Sequence, residues 1–174
     1  MIIKSYEIEK NISNFAKNNF YLVYGENSGL KKEISNTIKN AVTKKNDNLE
    51  TLSIYESEIL DNEKNFINFI YSGSLFGNKK IINILGASDK IFKKISDIHA
   101  NFNESVFLII SALILDKKSK LRNFFEKSEN TICIACYPDN ERDLGNIIRS
   151  ELKKNNILLS NESINLLIEK SNSD

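Results

Sequence analysis

Phe20-Tyr-Leu-Val-Tyr-Gly-Glu-Asn-Ser-Gly-Leu-Lys-Lys32 decides how the chain is read. Phe20 to Tyr24 suits a short β-strand and runs into Gly25. Ser28 then precedes Leu30, Ile34, Ile38 and Ala41, whose spacings of three and four mark one face of a helix. Strand, glycine turn and helix in that order open a doubly wound α/β domain, in which this turn is the default ligand site.

The same alternation continues outward. Thr51 to Tyr55 reads as a second strand, followed by a polar helix with Ile59, Phe66, Phe69 and Ile70 on its apolar side. A loop from Ser72 to Asn78 leads into a third strand, Lys80 to Leu85. Ser88 is placed to cap a helix carrying Ile91, Phe92, Ile95 and Ile98. Val106 to Ser111 makes a fourth strand, Lys118 to Lys127 a short helix, and Thr131 to Cys136 a fifth strand ending at Pro138. Nearly continuous Ile, Val and Leu fit strands buried on both faces, joined by right-handed crossovers in a parallel sheet.

Residues 1–138 are therefore expected to form an α/β domain, a parallel sheet flanked by helices. Beyond Pro138 the strands stop. Asp139 to Lys154 reads as a helix with Leu144, Ile147, Ile148 and Leu152 on one face. A second helix begins at Ser160, with Leu159 and Ile164 in the positions of a hydrophobic staple. Two helices do not enclose a core, so residues 139–174 are expected to start a small helical domain completed by chain beyond Asp174.

Composition adds exclusions. A length of 174 residues suits one α/β domain and part of another. The formal net charge of +1 supplies no overall basic field to draw in nucleic acid. Heavy use of Lys, Asn and Ile touches every segment alike and reflects the source genome. Met1-Ile2-Ile3 passes straight into Lys4 and Ser5, so no apolar leader is expected. No apolar stretch approaches the roughly 20 residues that cross a bilayer, and a cytoplasmic protein without a membrane partner is expected.

Cys133 and Cys136 lie three apart in a strand-like run, which points them to opposite faces as packed thiols rather than a redox or zinc pair. His99 is the single histidine, and no metal site or catalytic Ser/His/Asp, Cys/His or paired-carboxylate arrangement assembles around it.

A phosphate loop at the first turn needs G-x-x-x-x-G-K-[ST]. The chain offers Gly25, Glu26, Asn27, Ser28, Gly29, Leu30, Lys31 and Lys32. Leu30 stands in place of the second glycine, Lys32 in place of the hydroxyl residue, and Glu26 adds a negative charge. An ATPase also needs carboxylates at the end of a central strand to hold magnesium. Here the third strand ends Ile84-Leu-Gly-Ala-Ser88, with no acid before Asp89. No nucleotide cofactor is expected. The rival readings are a nucleotide-dependent ATPase or kinase with an atypical loop, and a receiver-type signalling module, for which the acidic cluster is lacking.

Three segments, in order, resemble the delta subunit of bacterial DNA polymerase III, part of the clamp loader. They are Tyr21-Leu-Val-Tyr-Gly25 with Leu30 and Glu33, then Ser74-Leu-Phe76 before Lys79-Lys80-Ile-Ile, then Phe107-Leu-Ile-Ile110 through Leu115-Asp-Lys-Lys-Ser-Lys-Leu-Arg122 to Cys136-Tyr-Pro138. The resemblance implies an AAA+-like α/β domain, a helical lid domain begun here, and a C-terminal collar absent from these residues. It implies a subunit that does not hydrolyse ATP itself. Such a subunit serves a DNA-directed DNA polymerase (nucleotidyltransferase) holoenzyme by binding the β sliding clamp and opening it for loading onto DNA. Partners implied are that clamp, the other clamp-loader subunits, and DNA through the assembled complex.

In the family the position of Leu75 and Phe76 holds the apolar plug that enters a pocket on the clamp. Ser74, Leu75, Phe76 and Tyr71 are therefore the expected clamp-binding residues. Gly73 stands where the family usually has another large apolar anchor, and Tyr71 or Ile70, at the end of the preceding helix, is placed to substitute for it. Lys117, Lys118, Lys120 and Arg122 form a recurring basic run that is a candidate for contact with neighbouring subunits. Ser111 ends the fourth strand where active relatives carry a polar sensor of the γ-phosphate, a role vestigial without a phosphate loop.

Overall fold

The computed structural model describes residues 2–4, 18–45, 49–72, 79–101, 104–137 and 141–171. They fall into two compact units, Met1–Cys136 and Tyr137–Asp174.

The first unit is built on six parallel strands: β1 (Ile2–Lys4), β2 (Phe20–Tyr24), β3 (Leu49–Tyr55), β4 (Lys79–Ala87), β5 (Val106–Ala112) and β6 (Thr131–Ala135). Their order across the sheet is β1-β6-β2-β5-β4-β3. Strand β2 lies between β5 and β6, with Leu22 opposite both Ile110 and Cys133, and is buried along its whole length. That position explains its run of large apolar residues, since neither face meets water.

Helix α1 (Ser28–Lys45) covers one face of the sheet, packing Ile34, Ile38 and Val42 on Tyr21, Val23, Ile109 and Ile134. The opposite face is covered by α2 (Glu56–Asp61), α3 (Glu63–Tyr71), a 3₁₀ turn (Asp89–Ile91) leading into α4 (Phe92–Ala100), and α5 (Lys120–Lys127). Their apolar stripes, among them Ile59, Phe66, Ile70, Ile95, Ile98, Leu121 and Phe125, close over Leu22, Ile82, Ile84 and Ile110. This is the α/β, parallel, doubly wound arrangement expected from the alternation.

Three local readings change. Strand β1 was not anticipated; it lies at the sheet edge, pairing Ile2 with Cys133 and Lys4 with Ala135. The single polar helix after β3 is two helices, because Asn62 leaves the helical region (φ −138°, ψ 66°) and its side chain caps α3 at the Asn65 N–H. The third expected strand does not stop at Leu85. Gly86, at φ +68°, is an extra residue between Leu85, opposite Ser111, and Ala87, opposite Ala112. A left-handed glycine thus carries the strand past a bulge.

Cys133 and Cys136 are fully buried on opposite faces of the sheet, as the spacing implies. Burial pushes the Cys133 thiol up to about 12. His99 is half-buried at the end of α4, its ring edge-on to Phe20 and Phe124 and its Nε2 2.9 Å from the Glu129 carbonyl oxygen. Its place is in packing.

The second unit holds α6 (Glu141–Lys154) and α7 (Asn161–Ser171). Helix α6 ends in a Schellman motif: Asn156 is left-handed (φ 54°), its N–H reaches the Lys153 carbonyl, and the Ile157 N–H reaches that of Leu152. Ser160 caps α7 by accepting from the Ser163 N–H. The expected staple is not evenly covered, since Ile164 is buried while Leu159 is exposed. Leu158, Leu166 and Leu167 are exposed as well.

Candidate functional site

The turn from β2 into α1 begins at Gly25, whose φ of +132° is open only to glycine. A Cβ there would lie 2.0 Å from the Cys136 carbonyl oxygen. The close approach that glycine allows is therefore to the chain's own backbone. The Gly25 N–H donates to the Leu113 carbonyl at 3.1 Å, and the Asn27 N–H to that of Cys136 at 3.1 Å. Cys136 in turn donates to the Tyr24 carbonyl at 2.7 Å.

Asn27 is the N-cap of α1: its side-chain oxygen accepts from the Leu30 N–H at 2.9 Å. Lys31, in the place of a phosphate-binding lysine, is buried, and its ammonium donates to the Ala112 carbonyl at 3.0 Å. Glu26 and Lys32 are exposed, as are Ser28 and Gly29. Behind the loop, the hydroxyls of Ser35 and Ser111 face each other at 3.5 Å. Two backbone donors and the lysine that would cradle an anion are thus engaged inside the fold.

The carboxylates along the same edge are engaged too, and sequence reasoning missed their roles. Glu56, the first residue of α2, is buried and accepts from the Ser88 N–H at 2.8 Å and from the Ser88 hydroxyl at 2.9 and 3.0 Å. The bond locks the end of β3 to the end of β4. Asp89 accepts from the Ser119 hydroxyl at 2.6 Å and from the N–H groups of Lys120 and Leu121 at 3.0 Å each. It acts as a second cap on α5 beside Ser119, which accepts from the Arg122 N–H. Partial burial opposes the Asp89 charge, yet the hydrogen bonds from Ser119, Leu121 and Lys120 hold its carboxyl below the ordinary value. The only sequence signal was an acid just after each strand, which by itself does not say what the carboxylate holds; that depends on long-range partners.

Among the basic run, Lys117, Lys118 and Lys120 are exposed, whereas Arg122 turns inward. Its guanidinium donates to Glu126 at 2.6 Å and to the Leu115 carbonyl at 3.1 Å, and lies over the Tyr24 ring. The four residues therefore do not form one basic surface.

Of the other expected site residues, Tyr71 ends α3 with 48% of its surface exposed. Ser74, Leu75 and Phe76 lie outside the described residues. Among the described residues, no group of His, Cys, Asp and Glu is placed to hold a metal ion, and no helix is long and apolar enough to cross a membrane.

The sequence model of the family described as DNA polymerase III, delta subunit, matches residues 21–137, which contain this whole edge of the sheet. The chain belongs to the DNA polymerase III delta subunit family. A delta-family relative, the probable DNA polymerase III subunit delta of Rickettsia prowazekii (strain Madrid E), is 29% identical over 150 residues. The match covers 84% of this chain and 43% of that protein.

Among solved structures, the Bacillus subtilis DNA clamp loader delta protein (YqeN) superposes with a TM-score of 0.66 at 15% identity, over 94% of this chain and 51% of that one. AMPPCP-bound DnaA from Aquifex aeolicus gives a TM-score of 0.53 at 16% identity, over 94% and 55%. At such identities the likeness concerns the fold, which is the AAA+-like α/β arrangement. The delta-family chain spans about half the length of these relatives, or less.

Proposed function

We propose that this delta-family chain serves a DNA polymerase III clamp loader by binding the β sliding clamp and helping to open it for loading onto primed DNA. Membership of the delta family over residues 21–137 carries the reading. The subunit hydrolyses no ATP itself, a reading supported by the engagement of Lys31, Gly25 and Asn27 with backbone carbonyls. ATP dependence then resides in sister subunits of the cytoplasmic complex, which also brings the chain to DNA.

Leu75 and Phe76 enter the clamp, with Ser74 beside them and Tyr71 as a supplementary anchor; the exposure of Tyr71 at the end of α3 supports its part. Burying a Leu and a Phe is worth about 1.5–3 kcal/mol each, so the pair contributes on the order of a hundredfold to ten-thousandfold in affinity. Lys117, Lys118 and Lys120 are open to neighbouring subunits, and Arg122 supports that segment from within.

Capture of the cognate β clamp tests the reading, with Leu75→Ala/Phe76→Ala beside the unaltered chain. Binding by the unaltered chain and a loss of about a hundredfold or more in the double variant are expected. Equal binding by both would refute the Leu75/Phe76 contact. Binding by neither would refute the clamp reading.

A further inference from the structure

Lys80, the second residue of β4, is a charged side chain with only 4% of its surface exposed. Its ammonium donates to the Phe69 carbonyl at 2.5 Å, to the Ser72 carbonyl at 2.7 Å and to the Ser72 hydroxyl at 3.0 Å. It also lies 4.5 Å from the centroid of the Phe69 ring. All three donors of the ammonium are thereby used. The partners sit at the C-terminal end of α3, where carbonyls lack helical partners and the helix dipole favours a cation. Ser72 is itself held, its N–H donating to the Asn68 carbonyl at 2.7 Å and its hydroxyl to that of Phe69 at 3.2 Å.

Capping alone does not require this arrangement. Ser72 is exposed, and water satisfies an exposed carbonyl without burying a charge. What distinguishes Lys80 is where it stands in the chain. Ser72 is the residue before 73–78, and Lys80 is the second residue after it. The three bonds fix the distance and direction between the two ends from which Leu75 and Phe76 are strung.

We propose that Lys80 is the positioning residue of the clamp contact, a role that rests on the clamp-binding reading above. By tying the end of α3 to the start of β4 it sets the spacing of Ser72 and Lys80 before binding, so that association does not have to fix those two positions. It touches no clamp residue itself.

The test compares affinity for the cognate β clamp among the unaltered chain, Lys80→Met, Lys80→Arg and Ser72→Ala, with thermal unfolding of each recorded. A synthetic linear peptide of residues 70–80, with and without Lys80→Met, is the reference. Lys80→Met keeps an unbranched stem without donors and is expected to weaken binding by the chain about tenfold. Lys80→Arg restores most of that loss, because a guanidinium still reaches carbonyl acceptors. Ser72→Ala, at an exposed site, removes one acceptor and weakens binding about threefold; it decides the matter should Lys80→Met fail to fold. The peptide binds more weakly than the chain and is indifferent to Lys80→Met.

Unchanged affinity in folded Lys80→Met and in Ser72→Ala would overturn the proposal. So would a peptide that loses as much as the chain, since that marks Lys80 as a direct contact. If neither the unaltered chain nor the peptide binds, the clamp reading fails and the role of Lys80 falls with it.

Discussion

The ammonium of Lys31 and the carbonyl oxygen of Ala112 are 3.0 Å apart in the interior, joining the first turn of α1 to the end of β5. The bond changes what the defective loop means. Leu30 and Lys32 break the phosphate-loop pattern, but the lysine that does match it, Lys31, is turned away from solvent. Repairing the pattern with Leu30→Gly/Lys32→Ser is therefore expected to leave ATP binding undetectable by titration calorimetry. Lys31 and the N–H groups of Gly25 and Asn27 would still be held by backbone carbonyls. Micromolar binding by the repaired chain would show that the two substituted positions, and not the internal bonds, silence the loop.

Gly25 makes a separate claim on the fold. At φ +132°, with the Cys136 carbonyl oxygen 2.0 Å from where a Cβ would be, both backbone conformation and space exclude a side chain. Gly25→Ala is expected to cost about 3 kcal/mol or more of stability, since relief requires β2 and β6 to part. Urea denaturation measures it. A loss well below 1 kcal/mol, on the order of an ordinary surface substitution, would mean that the turn rearranges freely.

Cys133 links the core to pH. Its thiol is held at about 12 by burial, against about 8.5 in an unfolded chain. As pH rises above about 8.5, the unfolded state loses this proton first, so the folded state binds more protons and stability falls with pH. The contribution is whole below about 8.5 and is lost toward about 12, at no more than about 1.4 kcal/mol per pH unit. Tyr21, also raised by burial, acts in the same direction. Denaturant unfolding across this alkaline range is expected to show a shallower decline in Cys133→Ala than in the unaltered chain. Parallel declines would place the alkaline loss elsewhere.

Much of this fold is legible because parallel sheets demand it. Strands β2 and β5 read as continuous apolar runs since water reaches neither face, and α1 shows a period of three and four because only one side packs. Cys133 and Cys136 follow from the pleat alone. The features that escaped the reading lack a period. Strand β1 has three residues, too few to display alternation, and becomes a strand only by lying beside β6. The break at Asn62 and the bulge at Gly86 are single-residue events whose neighbours look regular in sequence.

The site divides along the same line. Sequence by itself determined that the turn after Phe20–Tyr24 departs from a phosphate loop, because that motif is local and Leu30 and Lys32 break it. It also singled out Leu75 and Phe76, through resemblance rather than physics. Only the tertiary structure decided where the remaining polar groups go. Lys31 meets Ala112, Glu56 meets Ser88, Asp89 meets Ser119, and Lys80 meets Phe69 and Ser72. These partners are 8 to 81 residues apart in sequence. Whether a lysine or carboxylate holds a ligand or holds the fold depends on which groups lie within about 3 Å of it, and only the folded chain sets that distance.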